Sequence, residues 1–210
     1  MDNPQLANGL QWAIHNACFS CVENRIRFGA AGGVSSLVVS LEKHLSSEDL
    51  VASACSALHS ACRSCPANAS KCSQYPQVDA LVINIIDSFL ACSSVLQPLC
   101  AALHALADCG SPSDVQAVFS KGLVHSLVQK CLPTLLNRDP GTGNFQDHRE
   151  NLLTLLGALC KNPAISFLIV EANGLVALLD LLKSSGSVRS SPTVVSLLAK
   201  CVHQLLESPE

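Results

Sequence analysis

The feature that most constrains this chain is that it repeats itself. Four apolar doublets, Leu37-Val38, Leu81-Val82, Leu127-Val128 and Leu178-Leu179, stand in similar surroundings at spacings of 44, 46 and 51 residues. A second marker keeps the same period: Ala13-Ile14-His15, Ala57-Leu58-His59 and Ala102-Leu103-His104 each end 22 or 23 residues ahead of the next doublet. Two independent markers on one period mean tandem copies of one supersecondary unit. The stripes around the doublets have helical spacing, as in Val78, Leu81, Val82, Ile85, Ile86, Phe89 and Leu90, or Val124, Leu127, Val128, Cys131, Leu132, Leu135 and Leu136. Strands would alternate every second residue. A unit of this length cannot bury its own apolar faces, so the copies must stack into one continuous core.

One period, taken in full, predicts a short helix near Asn24 to Ala31, a turn at Gly32-Gly33, a second helix from Val34 to Leu45, and a third from Glu48 to Ser64 capped by Ser46-Ser47-Glu48-Asp49. The next predicts a short helix after Pro66, a second from Val78 to Ala91 and a third from Val95 to Asp108, with Pro76, Pro98 and Pro112 as punctuation. The last starts near Pro163, turns at Asn173-Gly174 and ends with a helix from Pro192 to Glu207, Pro192 suiting its first turn. Gly32, Gly122 and Gly174 fit as turn residues. This gives one repeat domain over residues 1–210: a partial unit 1–22, then repeats near 23–65, 66–110, 111–162 and 163–207. The segment Asn137 to Gln146 has no helical stripe, accounts for the long third spacing, and is expected as a surface loop; its glycines lack the Gly-Lys-Ser/Thr of a phosphate loop.

Composition narrows the function classes. Charged residues make up only 14% of the chain, against roughly 25% in an ordinary soluble domain, which suits surface covered by a partner. The net charge of −3, without a basic run, argues against nucleic acid. The most apolar stretch, Ile165 to Leu182, is broken by Glu171, Asn173 and Asp180, so no membrane span is expected. Met1-Asp2-Asn3-Pro4 lacks the charged flank and apolar core of a signal peptide. The twelve cysteines are then expected as thiols in the cytoplasm, with the nucleus left open, and Asn68-Ala69-Ser70 as an unmodified acceptor.

The run Asn24-Arg25-Ile26-Arg27-Phe28-Gly29-Ala30-Ala31-Gly32-Gly33-Val34-Ser35-Ser36-Leu37-Val38 resembles the short-helix, Gly-turn and second-helix segment of an armadillo repeat, and Trp12-Ala13-Ile14-His15-Asn16 resembles the end of its third helix. The likeness covers about residues 8 to 207. Pro76-Gln77 replaces the Gly pair in the second period, while Asn68, and Asp114 after it, stand where Asn24 does. The resemblance implies an all-α, right-handed α-solenoid of three-helix repeats whose third helices line a concave groove. It also implies that Trp12 and Asn16, on one helix face, take an extended peptide, the Trp packing its stem and the Asn bonding its backbone. The pair is not repeated: Ser56 and Ser60, then Ala101 and Ala105, hold the later positions.

The expected partner-binding residues are Trp12, His15, Asn16, His59, Ser60 and His104. The third helices carry few ionisable groups, so the groove is expected to be nearly neutral and to take an apolar or polar helix or strand. His15, His59 and His104 recur once per period, roughly 10 Å apart in a stack, too far to share one metal ion. Cys18-x-x-Cys21 and Cys62-x-x-Cys65 are 44 residues apart, which is the repeat period, so they are one helical position used twice rather than half-sites for zinc. Cys55, Cys92, Cys100, Cys109, Cys131, Cys160 and Cys201 are expected as small core residues. There is no Gly-x-Ser-x-Gly elbow, His-Glu-x-x-His or Walker lysine. The functional expectation is a non-enzymatic scaffold or adaptor for a protein partner, without metal or cofactor; the alternative is a regulator, exchange factor or chaperone-like, of a small GTPase.

Overall fold

Proline marks five of the helix starts. The computed structural model describes residues 3–136, 145–183 and 192–207, and every regular element among them is helical, as the stripes require. α1 (Pro4–Phe19) is followed by α2 (Val22–Ala30), α3 (Gly33–Lys43) and α4 (Glu48–Cys62), then by α5 (Pro66–Ser73), α6 (Val78–Phe89) and α7 (Ser93–Cys109). α8 (Pro112–Val118) comes next. After it runs a helix in three parts, α9 (Lys121–Ser126), a π-helical turn Leu127–Cys131 and α10 (Leu132–Leu136), and then α11 (Phe145–Leu159). The chain closes with α12 (Pro163–Glu171), α13 (Gly174–Lys183) and α14 (Pro192–Glu207). Proline is the first residue of α1, α5, α8, α12 and α14, where its missing N–H costs nothing. Asn3 and Asn162 cap α1 and α12 by accepting backbone N–H groups on their side chains.

The turn before the second helix is one geometry reached by three residue types. Gly32, Gln77 and Asn173 all have a left-handed backbone, with φ of 78°, 58° and 61°. Only the first has the side chain that makes this angle cheap. Gly174 then starts α13 for a different reason, since a Cβ there would lie 2.5 Å from Ile169 Cγ2.

Several sequence expectations are corrected. Gly122 lies inside α9 rather than at a turn, because Ser120 makes the junction with its hydroxyl accepting from the Leu123 N–H at 3.3 Å. Pro98 does not punctuate; it sits inside α7, where the carbonyl deprived of a donor belongs to the exposed Ser94. Ser47 holds the cap position of α4, but its side chain makes no capping bond. The stripe from Val124 to Leu136 is not one regular helix: Leu132 N–H reaches Leu127 O, one residue beyond the α register, just before Pro133, which has no N–H to continue the ladder. Phe145 and Gln146, expected in the loop, open α11, and the rest of that loop, 137–144, lies outside the described residues.

The chain divides into two compact units, Met1–Val118 and Phe119–Glu210. In the first, α4 packs against both α1 and α7. Gln11 meets Ser53 and His15 meets Ser60, so position advances together along α1 and α4 and the two helices run in the same direction. Glu48 with Ser94, and Ser64 with Cys109, give the same direction for α4 and α7. The core holds Val34, Leu37, Val38 and Leu41 of α3 with Leu50, Val51, Ala54, Cys55 and Leu58 of α4 and the matching stripes of α6 and α7. In the second unit α11 and α14 lie side by side, with α12 against α9 and α13 against α14.

Polar side chains lock the first unit at its helix ends. Arg25 on α2, only 6% exposed, donates to the Cys18, Phe19 and Arg63 carbonyls at 2.7, 2.6 and 2.9 Å. Asn68 on α5, 1% exposed, donates from Nδ2 to the Arg25 and Ala61 carbonyls at 2.9 and 2.8 Å. Asp114 on α8 cannot donate and instead accepts from the Ser73 hydroxyl at 2.6 Å. Gly29 makes the Asn68 contact feasible, since a Cβ at residue 29 would fall 1.7 Å from Asn68 Oδ1. Gly29→Ala should therefore destabilise the chain by about 2–4 kcal/mol, and Asn68→Ala by a similar amount through its two abandoned carbonyls. The double variant should cost clearly less than the sum, because Asn68→Ala clears the space that Gly29→Ala needs. Urea unfolding of the four proteins measures this; strict additivity would mean that the two residues are not in contact.

Candidate functional site

The candidate site is built on the exposed edge of α1 and the helices parallel to it. Residues 12, 15, 16 and 19 fall on one face of α1 by helical spacing. Trp12 and Phe19 are 45% and 48% exposed, and Asn16 is exposed between them. Trp12 meets the His15 ring edge-on at 5.3 Å between centroids, and His15 meets Phe19 at 5.5 Å. The Arg63 guanidinium, at the end of α4, lies over Phe19 at 5.8 Å from the ring centre. Three rings and a guanidinium thus form a row across two helix ends.

His15 is held rather than loose. Its Nδ1 lies 3.0 Å from the Ser56 carbonyl and 2.8 Å from Ser60 Oγ. A carbonyl only accepts, so Nδ1 carries the hydrogen and shares it with Ser60 Oγ. Ser60 itself is 0% exposed. It therefore positions the His15 ring and is not itself a surface a partner can touch, in contrast to the role expected from its register. His59 is half-buried on α4, and burial is the main cause that pulls its pKa down to about 4, helped by Arg63, His15, His104 and Arg25 in that order. His15, His59 and His104 therefore feel one another across α1, α4 and α7, as their shared register predicts.

The charged groups that act on His59 are Arg63 and Arg25, together with His15 and His104. Arg25, at α2, reaches under the C-terminal ends of α1 and α4, and Arg63 follows α4. Sequence reasoning also missed Phe19, which stands seven residues after Trp12 on the same face, and Asn8, whose buried Oδ1 one turn before Trp12 has no hydrogen-bond partner.

Among the described residues no group of three or more His, Cys, Asp or Glu is placed to hold a metal ion. Burial pushes the thiols of Cys55, Cys72 and Cys160 up to about 12 and that of Cys201 to about 11, so they stay protonated and serve as small apolar residues. Cys100 and Cys131 are buried as expected, but Cys92 and Cys109 are half-buried and polar in their contacts. Cys92 donates to Glu48 at 3.2 Å, and Cys109 Sγ accepts from the Ser64 N–H at 3.1 Å. No single described helix is long and apolar enough to cross a membrane; α12 and α13 satisfy length and composition only jointly and are bent by 70°.

No family model and no curated protein matches the chain. Among solved structures, the crystal structure of an engineered protein from the Northeast Structural Genomics Consortium superposes with a TM-score of 0.50, covering 98% of this chain and 94% of that one at 14% identity. At that identity the likeness is one of fold alone.

The depressed pKa of His59 carries a pH prediction. The folded chain holds the ring neutral, while an unfolded one takes a proton near pH 6.5, so the stabilisation is intact above about pH 6.5 and is lost as pH falls toward 4. Between pH 7 and pH 4.5, His59→Gln should lose less thermal stability than the unchanged chain, by about 2–4 °C in midpoint once solvent screening of this half-buried site is allowed for. Circular dichroism melts read the difference; parallel losses would place His59 in an unperturbed setting.

Proposed function

We propose that the chain is a right-handed α-solenoid of armadillo-like repeats and serves as a non-enzymatic scaffold that holds a protein partner along α1, α4 and α7. The observation that carries this reading is the row Trp12, His15, Phe19 and Arg63, in which two large aromatic side chains stay half in solvent while the ring between them is fixed by two hydrogen bonds. Exposed aromatics flanked by a guanidinium, on a rigid support, are the composition of interface anchors. Rigid rings lose little conformational freedom when a partner packs on them.

The parallel packing of α1, α4 and α7 at an offset of one repeat supports the solenoid reading, and the turn shared by Gly32, Gln77 and Asn173 supports units of one kind. Asn16 stands exposed one turn beyond Trp12, where its amide can bond the backbone of an extended segment. The Arg63 guanidinium beside Phe19 favours a partner with a carboxylate near the aromatic that fills the Trp12–Phe19 gap.

The test is an affinity pull-down with the intact chain beside Trp12→Ala/Asn16→Ala, after circular dichroism shows equal helix content, with bound proteins identified by mass spectrometry. Partners bound by the intact chain should be lost from the double variant, and Arg63→Glu should weaken the same ones. Partners retained by every variant would move the function away from this face.

A further inference from the structure

Two Cys-x-Ser-Cys runs, Cys18-Phe19-Ser20-Cys21 and Cys62-Arg63-Ser64-Cys65, stand at matching junctions of neighbouring units. Their second residues are Phe19 and Arg63, the ring and the guanidinium that meet at the end of the Trp12 row. Each run ends a helix with a turn. Phe19 is the last residue of α1, and Ser20 follows with φ −116° and ψ 5°, close to the type I pattern. Arg63, with φ −55° and ψ 122°, and Ser64, with φ 52°, make a type II turn closed by the Cys65 N–H on the Cys62 carbonyl at 3.0 Å. Such turns bring their first and last Cα atoms within about 7 Å, and a disulfide spans about 4.4–6.8 Å.

The two pairs differ in access. Cys21 is half-buried, and Cys18 across the turn is 2% exposed. Cys62 and Cys65 are 1% and 4% exposed, and the Ser64 N–H between them is taken by Cys109 Sγ of the next repeat. An oxidant in solution therefore meets Cys21 before either member of the second pair. Burial raises the Cys18 pKa, Arg25 opposes this, and Cys21 adds to it, so the two sulfurs of the first turn feel each other. Cys18 accordingly stays a thiol until the sulfur beside it is activated.

From this placement we infer that Cys18 and Cys21 form a reversible oxidation site, which a peroxide converts to a disulfide that resets Phe19 and with it the end of the Trp12 row. The Cys21 thiolate attacks one peroxide oxygen, the O–O bond breaks, and a sulfenic acid and hydroxide form. Cys18 Sγ then attacks Cys21 Sγ, the S–O bond breaks, and the oxygen leaves as water with the Cys18 proton. The hydroxide takes up the proton that Cys21 gave up, so two thiols and one peroxide yield one disulfide and two waters. A dithiol reductant reverses the step by exchange. Closing the bond draws Cys21 toward Cys18 across Phe19, whose carbonyl accepts from Arg25 at 2.6 Å and whose ring meets His15 and Arg63. Any consequence for binding rests on the proposed role of the row as a partner site; the disulfide itself does not.

The test adds equimolar hydrogen peroxide to the full chain, alkylates the remaining thiols after denaturation, and weighs the tryptic peptides. Peptide 1–25 holds Cys18 and Cys21 and no other cysteine. Their bond therefore appears as an unalkylated peptide lighter than the reduced one by about 2 Da. It should form about tenfold or more faster than a link from peptide 64–71, which carries Cys65, to peptide 44–63, which carries Cys62. Trp12 is the chain's only tryptophan, so its emission reads the row directly. That emission should change on oxidation and return with dithiothreitol, and Cys21→Ser should abolish both the bond and the change. The inference is overturned if peptide 1–25 stays reduced or carries only sulfinic or sulfonic acid, or if the Cys62–Cys65 link forms as fast. It is also overturned if the disulfide leaves Trp12 emission unaltered, or if the emission change persists in Cys21→Ser. Should bond and emission change both occur while partner capture is equal for the reduced and oxidised chains, the oxidation site stands and the row is not where partners bind.

Discussion

The guanidinium of Arg25 is the interaction on which the first unit of this chain depends. The last carbonyls of a helix have no partner within it, and three of those it serves, on Cys18, Phe19 and Arg63, come from the ends of two helices that meet at α2. A buried guanidinium costs a great deal unless its donors are used, and here the fork geometry uses them on carbonyls that would themselves be costly to leave bare. The cation also faces the negative ends of the α1 and α4 dipoles. One side chain thus fixes where α1 stops, where α4 stops, and how far apart those ends lie. The row of rings stands on those ends: Phe19 contributes one of the carbonyls, and Arg63 contributes another while its own guanidinium lies over Phe19.

Beyond Arg25, the first unit is built from bonds that cross one repeat. Gln11 with Ser53, His15 with Ser60, Lys71 with Gly29, Asn68 with Arg25 and Asp114 with Ser73 join residues 42, 45, 42, 43 and 41 positions apart. Each adds the same constraint, that a residue must find its counterpart in the next unit. In the second unit Gln129 and the Ala172 carbonyl keep the offset at 43, while Cys201 and the Leu153 carbonyl stretch it to 48. Similar helices at a fixed offset then present equivalent positions in rows, which is why three histidines recur across α1, α4 and α7.

The fold was legible because periodicity survives averaging: the stripes gave every helix of the first two repeats to within a few residues, and the left-handed turns at Gly32, Gln77 and Asn173 fell at the Gly pair, Pro76-Gln77 and Asn173-Gly174, while the left-handed Ser64 was not foreseen. The failures were local and had local causes. Pro98 and Gly122 carry strong intrinsic preferences that the packed helix overrode, and Pro133 broke the register of a stripe that looked regular. The site was legible only in part. Trp12 and Asn16 were suggested by the resemblance to an armadillo repeat and His15 by the repeat period, but the burial of Ser60 was not readable, because a serine at a surface register and one filling a helix crossing look alike in one dimension. Arg25 was the largest miss. It lies in the very motif that resembles an armadillo repeat, yet nothing in the sequence says that its charge is turned inward onto three carbonyls.

Cysteine gives the sharpest case of a signal present but unread. Cys21, Cys65, Cys109 and Cys160 stand 44, 44 and 51 residues apart, the same slippage that the insertion gives the apolar doublets. They mark the junction between one unit's third helix and the next unit's first, with Cys21 and Cys65 as the cap residues of α2 and α5, Cys109 ending α7 and Cys160 following α11. Cys21 and Cys65 stand at this position with non-helical backbones, Cys65 buried and Cys21 half-buried, whereas Cys109 is half-buried and accepts from the Ser64 N–H. At a buried junction such as that of Cys65, serine would bring a hydroxyl needing a partner, a demand the thiol does not make. The spacing that at first sight suggests half-sites for zinc is therefore the repeat period, read at the junctions between units.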